Sequence, residues 1–95
     1  MALFTVICHD KPNSLDLRMQ NRPDHVTYLK SVEPILRLAG PLLSPEGQMR
    51  GSLFVIEVED EAAAKAFAAG DPFNQRGLFA DVEINGFSKS LGSWS

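Results

Sequence analysis

The sequence predicts an α+β domain in which strands and helices follow one another in the order β-α-β-β-α-β. Three observations predict this order. A run of β-branched and aromatic residues opens the chain, an alanine-rich helical segment follows the most apolar run near its middle, and a segment of alternating polar and apolar residues lies near its end. The 95 residues suit one small domain, which is predicted to span residues 1–95.

The first strand is predicted over Ala2 to His9, where β-branched and aromatic residues dominate. The next segment combines proline and asparagine with charged residues and is typical of a loop. Leu15 to Gln20 fits a short helical turn and a continuation of this loop equally well, so both interpretations stay open at this point.

The first helix is predicted to begin at Arg22 and Pro23, because proline is favoured at the first helical position. It is predicted to run to about Ala39, where the following Gly-Pro sequence stops it. Pro34 lies within this span. Since proline lacks the amide hydrogen that a helix interior uses, Pro34 is expected to bend the helix or to break it into two pieces.

Two strands are predicted in the middle of the chain, joined by a hairpin loop. The first is brief, from Pro41 to Ser44, and a Pro-Glu-Gly sequence follows it. The second, from Ser52 to Glu59, is the strongest strand signal in the chain. Its middle is apolar on both faces, which is typical of a strand in the interior of a sheet.

A second helix and a last strand complete the order. The helix is predicted to begin after Asp60 as its N-cap, to continue through the alanines and to end at Gly70. A turn or a short helical piece is predicted next, followed by a half-buried strand from Leu78 to Gly86. Its alternation places Phe79, Asp81, Glu83 and Asn85 on one face and Ala80, Val82 and Ile84 on the other.

This order of elements is that of the ferredoxin-like split βαβ arrangement, an antiparallel four-stranded sheet with two helices on one face. The other face stays open, and there the strongest strand presents Leu53 and Val55. Because a second copy of the chain is the simplest cover for such a face, the sequence predicts a homodimer through the open sheet face. The tail, residues 88–95 with Trp94, has two open placements: over this face in a monomer, or on the partner subunit in the dimer.

The composition excludes several partners. The formal net charge is −3 and the basic residues are scattered, whereas nucleic acids and anionic membranes require a clustered basic face. No apolar run approaches the ~20 residues of a membrane span, and the absence of nucleotide or flavin motifs leads us to expect no cofactor. The single cysteine, Cys8, is expected to be a small buried residue, and with no signal peptide pattern it favours a cytoplasmic protein.

His25 lies on the predicted apolar face of the first helix. With successive residues rotated by about 100°, Leu29, Val32 and Leu36 fall within about 40° of it. In the first turn of a helix, unpaired backbone N–H groups and partial positive charge favour a neutral imidazole that can act as a base. The alternative interpretation is a structural histidine, hydrogen-bonded to a loop carbonyl.

Asp71 is a second unusual position, directly after the glycine that ends the second helix. Pro72 is expected to hold Asp71 in an extended conformation, and Phe73 supplies an aromatic side chain beside it. Both predicted helices pack on the same face of the sheet, so Asp71 and His25 can meet if the connecting loops curl back. The sequence spacing alone does not establish this pairing.

These segments together resemble the YCII-domain (YciI-like) family, from Ala2 to about Lys89. The resemblance rests on five features in order: Asp10, Arg18, the Arg-Pro-x-His unit at 22–25, Gly40-Pro41, and the Asp-Pro-Phe unit at 71–73. It implies the dimeric α+β barrel group, whose folds host small-molecule isomerases, cofactor-independent oxygenases and dehalogenating lyases. It also implies an active site built on a histidine and an aspartate, which correspond here to His25 and Asp71. The loop between the second and third strands is short here, which is expected to alter access to the pocket.

The expected function is proton transfer on a small, partly apolar or aromatic molecule. His25 would act as general base and acid, and Asp71 would orient its ring. The expected substrate-binding residues are Arg18, Arg22, Asp10, Ser52 and Phe73. The arginines would bind a carboxylate or phenolate, Ser52 would offer a hydroxyl group to the substrate, and the ring of Phe73 would line one side of the pocket. The alternatives are surface ion pairs for the arginines, with Asp10, Asp16 or Asp24, and an ordinary strand-edge position for Ser52.

Two other functions stay open. A metal site built from His9, Asp10, His25 and Asp71 has suitable ligand types. However, neighbours on a strand point to opposite faces, which separates His9 from Asp10, so no metal is expected. The other alternative is a non-catalytic module that binds a small ligand or another molecule.

Overall fold

Four strands and two main helices succeed one another in the predicted order, and the structure, a computed structural model, describes residues 1–92. The elements are β1 (Ala2–Asp10), α1 (Leu15–Ser31), β2 (Leu36–Leu43), β3 (Met49–Val58), α2 (Glu61–Gly70), α3 (Pro72–Gln75) and β4 (Phe79–Phe87), with a 3-10 turn (Glu33–Ile35) between α1 and β2. The strands form one sheet in the order β2-β3-β1-β4 with antiparallel neighbours throughout. The predicted fold class is therefore confirmed. The prediction for Trp94 lies outside the described residues.

The first helix begins earlier than predicted, at Leu15 instead of Arg22. Pro23 lies inside α1 and not at its first position. The residues before the proline are held by tertiary packing, since Leu17 packs against the core and Arg18 is buried. This packing outweighs the cost of a proline in a helix interior, which local sequence preferences alone would not allow.

The first helix also ends earlier than predicted, at Ser31 instead of Ala39. Pro34 lies in the 3-10 turn, so the expected break occurs, but the next element is a strand and not a second helical piece. β2 is correspondingly longer than the brief strand predicted from Pro41. Its residues are held by pairing with β3, from Leu36 opposite Ile56 to Leu43 opposite Met49, which is a long-range interaction.

The core lies between the helices and one face of the sheet. Val6, Phe54 and Ile56 from the central strands are at most 1% exposed and pack with Phe67 of α2 and Phe73 of α3. Asp60 caps α2 as predicted, because its side chain accepts a hydrogen bond from the Ala63 N–H. On the opposite face of the sheet, no helix of residues 1–92 covers the central strands, and the half-buried or buried apolar residues there are Leu3, Ile7, Leu53 and Val55.

The predicted alternation of β4 is wrong at its first residue. Asp10 pairs with Phe79 whereas His9 pairs with Asp81, so Ala80 is an extra residue in β4 and forms a β-bulge. The bulge turns Phe79 into the core, where it packs with Val82 and Ile84, while Asp81 is exposed. The Phe79 ring there meets Phe73 edge to face, with centroids 6.0 Å apart.

Among residues 1–92, no helix is both long enough and apolar enough to cross a membrane.

Candidate active site

A pocket of about 150 Å³ lies between α1 and the β2–β3 half of the sheet. Its lining residues come from three elements: Arg18, Arg22, His25, Val26 and Leu29 from α1, Ala39, Gly40 and Pro41 from β2, and Met49, Ser52 and Phe54 from β3. Arg18, Arg22 and His25 are spaced by four and three residues, so they form one row along the helix. The pocket therefore has a polar helix wall opposite a mainly apolar strand wall.

His25 lies near the middle of α1 and not in its first turn, which corrects one premise of the sequence-based prediction. The partial positive charge of a helix end therefore does not act on this ring, since the effect is confined to the terminal turns. The ring is instead held by side chains of α3 and the core, and the residue is only 7% exposed.

The His25 ring is paired with Asp71. His25 Nδ1 lies 2.8 Å from Asp71 Oδ1, across 46 residues of chain. Asp71 is 1% exposed, has the extended backbone expected before Pro72, and caps α3, because the Phe73 N–H donates to the same Oδ1 at 2.9 Å. With Asp71 as a carboxylate, Nδ1–H donates and the lone pair lies on Nε2.

Asp71 Oδ2 and His25 Nε2, the two atoms that take no part in the hydrogen bond of this pair, have different surroundings. Asp71 Oδ2 is the one fully buried side-chain nitrogen or oxygen of residues 1–92 without a hydrogen-bond partner. Nε2 of His25 also has no hydrogen-bond partner in this part of the chain, yet it is not among the fully buried atoms. Because His25 lines the pocket, Nε2 is the ring nitrogen that a molecule bound there can reach.

Phe73 is fully buried and does not line the pocket. Its ring stacks on His25, with centroids 4.0 Å apart, and the Arg18 guanidinium carbon lies 4.7 Å from its centre. Phe73 therefore supports two pocket side chains from behind. The aromatic side chain that lines the pocket is Phe54, which sequence analysis placed only in the strand.

Arg18 is buried and already paired. It donates to both carboxylate oxygens of Asp10, at 2.7 and 3.0 Å, and to Ser52 Oγ at 2.9 Å. Asp10 is one of the ion-pair partners that the sequence suggested, but the pair lies inside the protein and not on its surface, with side chains 3% and 5% exposed. Both oxygens of Asp10 thus accept hydrogen bonds from Arg18, and Ser52, which is 2% exposed, lines the pocket beside Arg18.

Arg22 has a different environment. It is exposed at the pocket edge and forms no ion pair with any residue of 1–92. Asp24, a partner that the sequence suggested for it, pairs instead with Arg76 at 2.7 Å. Arg22 is therefore the arginine of the pocket whose charge the described residues leave available.

The four residues considered for a metal site are not gathered in one place. His9 is exposed, and its Nδ1 lies 2.9 Å from Asp81 Oδ1 on the neighbouring strand. In the part of the chain that the structure describes, no group of three or more histidine, cysteine, aspartate or glutamate residues is arranged to hold a metal ion.

Cys8 lies beside this site, and its thiol is free and buried. Burial, and then the negative charges of Asp71 and Asp10, raise the pKa of its thiol to about 12. Tyr28, whose hydroxyl donates to the Phe67 carbonyl at 2.7 Å, also has a raised pKa, first from burial and then from Asp71. Both groups stay protonated near neutral pH.

Comparisons with known proteins agree with this architecture. The family model described as YCII-related domain matches residues 2–88. An uncharacterized protein of Haemophilus influenzae is 33% identical over 94 residues, which cover 90% of this chain and 96% of that protein. Protein YciI of Escherichia coli O6:H1 is 30% identical over 95 residues, which cover 92% and 97%.

Solved structures show the same fold. The 5-chloro-2-hydroxyhydroquinone dehydrochlorinase TftG of Burkholderia phenoliruptrix AC1100, in complex with 2,5-dihydroxybenzoquinone, superposes with a TM-score of 0.88. It is 29% identical, and the match covers 93% of this chain and 95% of that chain. An antibiotic biosynthesis monooxygenase, 15% identical with a TM-score of 0.58, is similar in fold alone and covers 96% of this chain and 100% of its own.

Proposed function

Because the chain belongs to the YCII-related domain family, we propose that its pocket is an active site for proton transfer on a small, partly apolar or aromatic molecule, in a lyase- or isomerase-like reaction. The observation that carries this proposal is the buried hydrogen bond of 2.8 Å between His25 and Asp71. A histidine whose one ring nitrogen is fixed by a carboxylate and whose other nitrogen faces a pocket has the arrangement of a general base.

His25 Nε2 takes a proton from the bound molecule and returns it to another atom of that molecule or to the leaving group. Asp71 does not exchange the proton itself. It fixes the tautomer with the lone pair on Nε2 and stabilises the imidazolium that forms. A positioned group of this kind accelerates a proton transfer by about 10²–10⁴-fold.

The other pocket residues bind the molecule. Arg22 receives an acidic group, because its charge has no partner among residues 1–92. Ser52 accepts a hydrogen bond from Arg18, so its own hydroxyl hydrogen can point to the ligand. Asp10 holds Arg18 in place, and Phe73 supports the ring of His25 from behind.

The similarity to TftG supports this chemistry and the class of substrate. A dehydrochlorination releases a proton and a chloride ion, so it requires a base that accepts the proton, here from an acidic hydroxyl group of the ring. The molecule bound to TftG is a single ring with acidic oxygens. A ring of this kind suits a small pocket with an apolar strand wall and one available arginine.

The test is a turnover measurement in D₂O with 5-chloro-2-hydroxyhydroquinone and related single-ring phenols, monitored by NMR. His25→Ala is expected to lower the rate by about 10²–10⁴-fold while 2,5-dihydroxybenzoquinone still binds. His9→Ala is the matched control, because His9 also pairs with an aspartate but lies outside the pocket. Equal turnover by wild type and His25→Ala would refute the proposal. Binding without turnover in the wild type would favour the non-catalytic module instead.

We also propose that the chain forms a homodimer through the open face of the sheet. The support is the row of apolar side chains there, Leu3, Ile7, Leu53 and Val55, which no helix in the described part of the chain covers. A cytoplasmic location is proposed as well, since the one cysteine is free and buried.

A further inference from the structure

We propose that Met49 determines the length of the molecule that the pocket accepts, an inference that rests on the proposed function of the pocket. Met49 is the residue at which two cavities meet. It lines the inner pocket of about 150 Å³ that holds His25, and it also lines an outer cavity of about 470 Å³. The outer cavity lies between the β1–α1 loop and the β2–β3 hairpin, with Lys11, Ser44 and Arg50 among its lining residues.

A β-bulge places the side chain of Met49 at this boundary. Leu42 pairs with Gly51 and Leu43 with Met49, so Arg50 is an extra residue in β3. In a regular strand, Met49 would point to the face opposite Ser52, because the side chains alternate. The bulge shifts this alternation by one residue, and Met49 lines the inner pocket together with Ser52 and Phe54.

The backbone beside Met49 is fixed, whereas its side chain is adaptable. The hairpin is closed by the Ser44 N–H, which donates to the Gln48 carbonyl at 2.8 Å, and by the Gln48 N–H, which donates to Ser44 Oγ at 3.1 Å. Methionine is unbranched with three rotatable bonds, so it fills a gap between two spaces without a fixed shape. Met49 is only half-buried, which leaves it room to change rotamer.

The two cavities differ in chemistry. The inner pocket offers Phe54, Leu29 and Pro41, whereas the outer cavity is lined mainly by polar and charged side chains. A molecule that extended through both would carry an apolar ring at the inner end and a polar group at the outer end. Met49 closes this path, so the native protein favours a single-ring anion without an extension.

The test compares two probes, benzoate and 4-acetamidobenzoate, which share the ring and the carboxylate and differ by a polar extension. Each is titrated into wild type, Met49→Ala and Met49→Leu, with the backbone amide shifts of Ala39, Gly40 and Ser52 as the readout. Benzoate is expected to bind all three proteins within about threefold. The extended probe is expected to bind Met49→Ala at least about tenfold more tightly than wild type, a change typical of added pocket space.

Met49→Leu controls for folding, because a side chain of similar size is expected to keep the wild-type preference. Equal ratios of the two dissociation constants in wild type and Met49→Ala would overturn the proposal, and so would the absence of binding of both probes to every protein. If the proposed proton-transfer function is wrong, a different measurement shows it. In that case His25→Ala leaves turnover unchanged, while the binding preference still depends on the residue at position 49.

Discussion

The imidazole of His25 stacks on the ring of Phe73, with centroids 4.0 Å apart and 14° between the ring planes. Asp71, two residues before Phe73, holds the edge of the same imidazole through Nδ1. A three-residue segment at the start of α3 therefore fixes the histidine by its edge and by its face. The orientation of the ring depends on how α3 sits against α1.

The hydrogen bond from His25 to Asp71 is expected to select one tautomer. In wild type, long-range ¹⁵N–¹H NMR spectra should show His25 protonated at Nδ1, whereas in Asp71→Asn the preference should change, because an amide can donate as well as accept. Asp81→Asn is the matched control, since it alters the exposed pair with His9. If His25 shows the same tautomer in wild type and Asp71→Asn, Asp71 does not orient the ring.

The buried ion pair of Arg18 and Asp10 is expected to stabilise the fold strongly. Arg18→Met leaves a buried carboxylate without its partner, and the free energy of unfolding should fall by about 3–5 kcal/mol. Arg37→Met removes the half-exposed pair with Glu57 and should cost about 0–1 kcal/mol. Urea denaturation measures both. A loss at Arg18 no larger than that at Arg37 would mean that Asp10 finds water or another partner.

Because the thiol of Cys8 has a raised pKa, the protein is expected to lose stability at alkaline pH. The folded state holds the thiol pKa near 12, against 9.0 as the ordinary value, so above pH 9 the unfolded chain releases a proton that the folded protein keeps. Stability from this group is complete below pH 9 and falls between pH 9 and 12, by at most about 1.4 kcal/mol per pH unit. Tyr28, with its raised pKa, acts in the same direction.

The measurement is urea denaturation at pH 8 and at pH 10.5, with Cys8→Ala and Tyr28→Phe beside wild type. Each substitution should make the loss of stability with pH smaller. A thiol reagent at pH 8 should react with Cys8 only after unfolding. Rapid reaction of the native protein would show that the thiol is accessible and easily ionised.

The proposed dimer depends on the open face of the sheet. Leu53→Glu places a charge among the apolar residues of that face and should convert a micromolar dimer into a monomer, as sedimentation velocity would show. Met19→Glu is the control, because Met19 is also an exposed apolar residue but lies on α1. A wild-type monomer at micromolar concentration would rule out this interface as a stable one.

The order of elements could be predicted from the sequence because the strands β1, β3 and β4 carry local signals of their own. The start of α1 and the extent of β2 could not. Pro23 is a local signal for a helix start, but packing of Leu17 and Arg18 overrides it. Leu36 fits the helical period of α1 as well as a strand, and only its pairing with Ile56 decides between them.

In the candidate site, too, some residues can be identified from local sequence and others depend on long-range strand pairing. His25 and Asp71 are recognisable because each is unusual in its local sequence, a histidine in line with apolar residues and an acid after a helix-ending glycine. Of those apolar residues only Leu29 lies on α1, since Val32 and Leu36 come after its end. The positions of Met49 and Phe79 depend on β-bulges, which are set by the register of two strands. No local pattern at either residue reports that register.

The bulge at Arg50 has a consequence for how proteins of this shape can diverge. Loss of this bulge at unchanged chain length, with Arg50 paired opposite Leu43, would restore the regular alternation and send the side chain of residue 49 to the opposite surface. The cavity beside His25 would then be remodelled by a shift in strand register, without replacement of any residue that handles the proton. A substitution that straightens β3 at this point is thus a route by which the scaffold can acquire a new ligand while it keeps its chemistry.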